Sequence, residues 1–483
     1  MSTKIRGIVT ASMEAYPDEP AVYLPSDTPE QETELVLQAN DHLNGAVADD
    51  AEIDRMQDLA QGLEDLAEVG GTITQATPRE LILIDIANQL SLAGSGMASE
   101  ETLPGLESLE GKTVSVESIK ETAAKLWNAV MAFIKRVWDG IQNFFAKLFS
   151  TLAGMKKKAE ELKAAAKRTG NARPATAVIA LGSEANALAV NHVAPHDGES
   201  INRYLGGLEA QCEVIFNAYV QQVDKAGKIL TDLLSTADTS NQLPGNWFEM
   251  VSSAAGNLQF GQIKQALGCK EVSDARFAGG QIAIAPPLPG NNSIAFHRPS
   301  AQRFQEATQG GASHSDFAEF FQATYFEVIK TSDGHHDHSL GKSEFKVAAT
   351  GDLVKVCDTV IKLCDIMLGY YNGASRRNIK SAMDTMGSLS QKLSRRVDNT
   401  PELHSHFRDS FNTSLRVLRA YNKWSTQPHA QLAKIAHSAC RGALALVGRN
   451  LAAYEGRSGD PRQTADQVAS AAPALAAPAA ATA

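Results

Sequence analysis

The chain has 483 residues and a formal net charge of −10, with 43% hydrophobic and 21% charged residues. This composition supports an extensive core and excludes a chain that is disordered throughout. The five cysteines are scattered without a CxxC pair, which argues against a disulfide framework or a zinc cage, and no apolar run is long enough to predict a transmembrane helix.

Acidic residues are concentrated at the N-terminal end of the chain. Residues 1–110 contain 22 acidic and 4 basic residues, a net charge of −18, whereas the remainder contains 33 acidic and 41 basic residues, a net charge of +8. This asymmetry has two interpretations, an acidic solvated tail or a removable leader that masks a body able to lie beside nucleic acid. Charge alone does not decide between them.

The leader reads as short acidic helices followed by a linker. Helical spacing of apolar residues predicts helices within 30–69, and "TPRELILIDIANQLSLAG" predicts another, with Thr77 as N-cap and Pro78 at the first helical position. The segment 95–118 is small, polar and interrupted by Pro104. It predicts an exposed, extended linker of the kind that proteases cut.

Four triplets with a small residue two positions before a glutamate lie in this linker, at the boundary between the two charge regimes. A glutamate-specific processing protease could read the carboxylate and fit the small residue in a tight subsite. Each triplet alone is a weak signal, but their density in one linker is more specific. The triplets are Ala98-Ser99-Glu100, Gly105-Leu106-Glu107, Ser108-Leu109-Glu110 and Ser115-Val116-Glu117.

The strongest helix signal follows over 118–168, where Ser118 and Glu121 predict a capping box. Its apolar residues alternate in steps of three and four, which favours a core or coiled-coil helix over an amphipathic helix at a membrane surface. Its C-terminal part has the densest basic face of the chain, which reads as a solvated surface or, alternatively, as a face near DNA. The apolar stripe is Trp127, Val130, Ile134, Val137, Trp138, Ile141, Phe145, Leu148 and Leu152, and the basic face is Lys156, Lys157, Lys158, Lys163, Lys167 and Arg168.

The rest of the chain predicts further helices with one small β-hairpin. Residues 170–198 suggest short strand or irregular structure. We expect helices over 199–235, 258–269, 343–396 and 401–454, a hairpin around a Pro-Gly-Asn turn over 276–297, and a low-complexity disordered tail over 457–483.

The predicted fold is therefore mainly α, a long-helix body with a small β-hairpin insertion, an acidic helical leader and a disordered C-terminal tail. The expected divisions are an acidic propeptide (1–110), a long amphipathic helix (111–169), a mainly α body (170–456) and the tail (457–483).

A catalytic site is not expected. The sequence contains no Walker, GxSxG, HExxH or GxGxxG signature. The segment "DGHHDHS" brings together His335, His336 and His338, but their spacing suits no standard metal cage, and a solvated loop is the favoured interpretation. We expect no enzyme activity, no cofactor and no metal.

Three features, in order over 51–168, carry a resemblance to a known family. They are the acidic helical leader, the junction "LESLEG", and the helix "VSVESIKETAAKLWNAVMAFIKRVWDGIQNFFAKLF" followed by a Lys-rich coil. In this order they resemble the internal head proteins of giant tailed bacteriophages of the phiKZ type.

The resemblance implies that a prohead protease removes the N-terminal propeptide after a small-x-Glu site during capsid maturation. It implies cleavage between Glu110 and Gly111 as the first choice and after Glu117 as the second, with Glu107 and Glu100 as lesser candidates. The protein would be made in the host cytoplasm and packaged inside the capsid, with capsid or other internal head proteins as partners and non-specific contact with DNA. The alternative function is an ejected, membrane-active or host-targeting effector that uses the helix between Trp127 and Leu152.

Overall fold

Helices account for 73% of the residues that the computed structural model describes, which confirms the mainly α fold. The structure describes residues 34–46, 116–182, 184–239, 260–272, 280–299, 320–331, 344–399 and 404–455. The predicted C-terminal tail and most of the predicted leader lie outside these ranges.

The elements follow one another with the β-strands grouped in the middle of the chain. The helices are α1 (34–46), α2 (Val116–Ser150), α3 (Leu152–Thr169), α4 (Glu184–Leu188), α5 (Gly198–Glu213), α6 (Val220–Thr239), α7 (Gly261–Ala266), α8 (Thr350–Asn372), α9 (Ala374–Asn399) and α10 (His404–Tyr454). A π-helical segment (Val214–Tyr219) joins α5 to α6. The strands are β1 (Val178–Ala180), β2 (Lys270–Val272), β3 (Gly280–Ile284), β4 (Asn292–Pro299), β5 (Tyr325–Lys330) and β6 (Glu344–Lys346).

The helix α10 is the centre of the helical body. It packs against α2, α3, α4, α5, α6, α8 and α9, and also against β5. Such a position requires small and apolar side chains around most of the helix, and Ala430, Ala433, Ala436, Ala439, Cys440 and Ala443 are all fully buried.

Contacts with α8 set the position of α3 on the body. Lys156 of α3 contacts Asp365 of α8, and further along α3 the carbonyl of Gly170 accepts a hydrogen bond of 2.7 Å from the Thr350 hydroxyl. Because the residue numbers rise along one helix as they fall along the other, α3 and α8 run antiparallel. Leu152, Met155, Ala159, Leu162 and Ala166 form the buried face of α3.

The predicted hairpin is present as β3 and β4, paired antiparallel from Gly280 opposite Pro299 to Ile284 opposite Ala295. Gly290 and Asn291 both have positive φ angles in the turn, which the Pro-Gly-Asn sequence allows. The hairpin is the middle of a four-stranded antiparallel sheet in the order β2-β3-β4-β5, and a separate pair joins β1 to β6. The sequence analysis missed the outer strands.

Two long predicted helices are divided in the structure. The helix predicted over 118–168 is interrupted at Thr151, where the hydroxyls of Ser150 and Thr151 donate to the carbonyls of Lys147 and Leu148 at 2.6 and 2.7 Å, an arrangement that bends helices. Its N-terminal end also differs, since α2 begins at Val116 and Ser118 therefore lies inside the first turn rather than at the N-cap.

The helix predicted over 343–396 is divided as well. Gly373 has extended backbone angles between α8 and α9, and its N–H donates to the carbonyl of Tyr370. The predicted start at Ser343 was wrong, because residues from Glu344 pair with β1 as the strand β6 and the helix begins only at Thr350.

Candidate functional site

The predicted processing segment lies almost entirely outside the described residues. Glu100, Glu107, Ser108, Glu110, Gly111 and Ser115 fall between α1 and α2, in the part of the chain that the structure does not describe. Glu117 is the exception, since it lies in the first turn of α2. A peptide bond in a helical turn is a poorer protease substrate than one in an extended segment, because a protease binds its substrate as an extended chain.

The leader helix α1 packs against α2. Ala39, Leu43 and Ala46 of α1 are 0%, 5% and 4% exposed. A Cβ atom placed on Gly140 of α2 would lie 3.2 Å from the Cβ of Ala46 and 3.4 Å from the carbonyl oxygen of His42. The two helices therefore approach closely at Gly140, where a side chain is absent.

The apolar stripe of α2 faces the body. Ile134, Trp138, Phe145 and Leu148 are all less than 7% exposed, and the ring of Phe145 packs edge-on against Tyr370 of α8 at 5.5 Å. Trp127 lies in α2, but its side chain is not among those described. The described part of the stripe therefore makes the contacts of a core helix.

The C-terminal end of α2 is fixed to the start of α9 by an arginine. Arg376 lies over the ring of Tyr371 at 4.1 Å, donates to the carbonyl oxygen of Tyr371 at 3.1 Å, and also donates to Gln142 of α2. On the same side, the Tyr371 ring meets the ring of Phe149 edge-on at 5.2 Å. One hydrogen bond to Gln142 and the ring contact of Phe149 thus hold α2 against the body, and the cation–π contact with Tyr371 fixes Arg376 in position.

The structure separates the predicted basic face of α3 into two groups. Lys156 and Lys163 form ion pairs with Asp365 and Asp358 of α8, and these hydrogen bonds raise the pKa of both lysines above their ordinary value. By contrast, the remaining basic residues point outward, and two exposed glutamates lie among them. The exposed basic residues are Lys157, Lys158, Lys167 and Arg168, and the glutamates are Glu160 and Glu161.

The buried face of α10 contains two histidines that the sequence analysis did not single out. Burial lowers the pKa of His429 and of His437 to about 3, so both are neutral at physiological pH. His429 stacks on the Tyr370 ring at 4.9 Å, and Nε2 of His437 lies 2.8 Å from the Thr151 hydroxyl. Both rings are closed off from solvent, so they serve packing rather than chemistry on a substrate.

A buried ion pair also links α4 to α10. Arg449 Nη1 lies 2.8 Å from Oε1 of Glu184, which is 6% exposed, and donates at 3.1 Å to the carbonyl of Ala180. The pair joins the "ALGSEANALAVN" segment to the central helix. It therefore ties α4 and β1 to the central helix.

Within the described residues, no three His, Cys, Asp or Glu side chains are grouped so that they could hold a metal ion. The "DGHHDHS" segment with His335 and His338 lies outside those residues. Cys212, Cys357, Cys364 and Cys440 are buried free thiols, and burial raises the pKa of each.

None of the helices that the structure describes is both long enough and apolar enough to span a membrane.

Comparison with known protein families identifies the group to which the chain is similar. The sequence model of a family described as phiKZ-like phage internal head proteins matches residues 31–449, from the start of the leader helix α1 through most of α10. No curated protein and no solved structure matches the chain.

Proposed function

The chain belongs to the phiKZ-like phage internal head proteins, and from this premise we propose that it is a structural component of the capsid interior whose acidic leader is cut off inside the prohead. The prohead protease of the phage makes the cut after Glu110, and the body from Gly111 onward stays with the packaged genome. The protein acts without catalysis of its own.

The observation that carries this proposal is the change in charge at residue 110. Loss of residues 1–110 removes a net charge of −18 and converts a chain of net charge −10 into a body of net charge +8. A body of positive charge is compatible with densely packed phosphates, whereas the uncut chain is repelled by them. The family match includes part of the leader as well as the body, which supports a leader that is synthesised as part of these proteins.

The position of Glu117 supports ranking it below Glu110. Glu117 lies in the first turn of α2, so a protease would have to unwind the helix before cutting there. Glu110 precedes the start of α2 by several residues, with Gly111 on the far side of the scissile bond. This difference supports Glu110 as the preferred site.

The contact with DNA is proposed to be non-specific. The exposed basic residues of α3, Lys157, Lys158, Lys167 and Arg168, are spaced along a surface that also contains Glu160 and Glu161. Such a mixed surface attracts phosphates weakly and offers no element shaped to read base edges. Its role is to accommodate the genome rather than to recognise a sequence.

The alternative function, an effector that acts on a membrane through α2, finds less support. The stripe that would enter a bilayer is buried against α8, and Arg376 holds the same helix to the body. Insertion would require α2 to leave these contacts and expose its partners to water. Release of dye from liposomes by the cut protein, at concentrations where it remains folded, would restore this alternative.

Coexpression with the prohead protease tests the cleavage directly. We expect the wild-type chain and a Glu117→Gln variant to give the same product beginning at Gly111, and a Glu110→Gln variant to lose that product. Intact mass spectrometry of the purified chains distinguishes these results. An unchanged cut in Glu110→Gln, or no cut in any chain, would count against the proposal.

A further inference from the structure

The described part of the leader is a helix that depends on the body for its stability. A helix of the length of α1, residues 34–46, is marginal on its own in water. Its buried residues Ala39, Leu43 and Ala46 recur at spacings of four and three, so they lie on one face. Ala46 on this face lies against Gly140 of α2, and burial of the face is what stabilises the helix.

The contact is centred on Gly140. The three atoms nearest to a Cβ placed on Gly140 are the Cβ of Ala46 at 3.2 Å, the carbonyl oxygen of His42 at 3.4 Å and the Cα of Ala46 at 3.8 Å. All three belong to α1. A side chain at position 140 would therefore meet the leader before it met any part of the body.

The surface of α2 around Gly140 is apolar on one side, at Val137 and Phe144, and polar on the other, at Arg136 and Asn143. Val137 and Phe144 lie three residues before and four residues after Gly140, which places them on the same side of the helix. They are 4% and 0% exposed. Gly140 thus gives the leader helix close access to a buried apolar strip on the body.

We propose that the Gly140 face of α2 is a binding surface for α1, and that it holds the leader on the body after the chain has been cut. This inference rests on the proposed cleavage after Glu110. Cutting after Glu110 breaks no bond within α1 or α2, because Ala46 precedes the scissile bond and Gly140 follows it by many residues in the sequence. The opposite net charges of the two fragments, −18 and +8, add a long-range attraction to the apolar contact. Cleavage and release of the leader are therefore separate steps.

The test uses the purified full chain with the recognition sequence of a site-specific protease inserted between Glu110 and Gly111. After complete cutting, the two fragments are separated by gel filtration at physiological salt. We expect the leader fragment to elute with the wild-type body. In Gly140→Leu the amount of leader that elutes with the body should fall about tenfold or more, because the added side chain occupies the space of Ala46.

Two variants separate this effect from misfolding. Gly154→Leu places the same residue on α3, where a Cβ atom would have no neighbour within 4 Å, and this body should retain its leader. The exchange Gly140→Ala with Ala46→Gly moves one methyl group from one helix to the other and should restore retention relative to Gly140→Ala alone. Both measurements stay informative even if Gly140→Leu folds poorly.

Separation of the leader from the wild-type body as soon as the linker is cut would overturn the inference. Equal retention in wild type and in a folded Gly140→Leu chain would overturn it as well, since the leader would then be held elsewhere. These results concern only the contact with α2. Whether the linker is cut in the phage is decided by the N-terminus of the protein in virions, so the two claims fail separately.

Discussion

Pro428 lies in the middle of α10 and has no backbone N–H to donate to the carbonyl of Trp424, four residues earlier. The Tyr219 hydroxyl, at the end of the π-helical segment, donates to this carbonyl at 3.0 Å. Tyr219 and Trp424 are both essentially buried, so water cannot replace the missing donor. The Tyr219 hydroxyl thus satisfies the Trp424 carbonyl of α10, which has no helical N–H partner.

Tyr219→Phe should therefore destabilise the protein by about 1–3 kcal/mol, the cost of a buried carbonyl without a donor. Adding Pro428→Ala to this variant restores a backbone N–H and should recover part of the loss. Urea unfolding of the wild type, both single variants and the double variant measures the coupling. Additive effects of the two substitutions would show that the two groups do not share the Trp424 carbonyl.

Acid should weaken the fold through His429 and His437. Their pKa is about 3 in the folded protein, against an ordinary value of 6.5, so the unfolded chain binds more protons between these two values. The contribution of each neutral histidine to the free energy of unfolding is therefore fully present above pH 6.5 and decreases as the pH falls toward 3. At pH 5 the loss is about 2 kcal/mol per histidine.

The variant His429→Phe, whose ring suits the stack on Tyr370, isolates one of these contributions. We expect its stability to fall less steeply between pH 7 and pH 5 than that of the wild type. Denaturant unfolding at each pH gives the comparison. Identical pH dependence of the two proteins would show that His429 is not held neutral by the fold.

These residues also show where reading the sequence reached its limit. The histidines that attracted notice, in "DGHHDHS", are adjacent in sequence, whereas His429 and His437 stand apart in a helix. Around His429 nearly all of α10 is buried, so the alternation between a core face and a solvated face is weak there, whereas around His437 an exposed face does recur at Lys434, Ser438 and Arg441. The sequence also contained no sign that Tyr219 donates to the Trp424 carbonyl, because the two residues lie far apart in the chain.

At the scale of elements, the antiparallel pair of α3 and α8 gives different roles to neighbouring lysines. Lys156 and Lys163 lie on the side that faces α8 and pair with its aspartates. Lys157 and Lys158 follow on the exposed side of the same helix. The sequence identified a basic face, but only the position of α8 decides which of its charges are already matched.

This division predicts different effects on DNA binding by the cut protein. Replacing Lys157 and Lys158 with Gln should weaken binding and reduce the slope of log affinity against log salt by about 1 per lysine. The matched variant with Gln at Lys156 and Lys163 should change the slope less, because Asp365 and Asp358 already offset those charges. Fluorescence anisotropy with a random duplex measures both. Equal changes would show that the ion pairs do not persist in solution.

The elements that sequence reading recovered are those with local signals. The spacing of apolar residues predicted the long helices, and the Pro-Gly-Asn turn predicted the hairpin of β3 and β4. The strands β2 and β6 have three residues each, and β6 pairs with β1, which lies far from it in the chain. A strand of three residues has no periodicity of its own, so only its partner defines it.

At the scale of the whole molecule, the dominant feature is the division of charge between a leader of −18 and a body of +8. The described core runs from α2 to α10, and α1 adds Ala39, Leu43 and Ala46 to it. Because α1 adds only three of the many buried apolar residues, a body without the leader keeps most of this core.

The most direct test of the central claim is the first residue of this protein in purified virions. Intact mass spectrometry, together with peptides that have one non-tryptic end, identifies it without any variant. We predict that the chain in the particle begins at Gly111. A chain that begins at Ser118 would move the cut to Glu117 but keep the leader removable, whereas a chain in the particle with its original N-terminus would contradict the account.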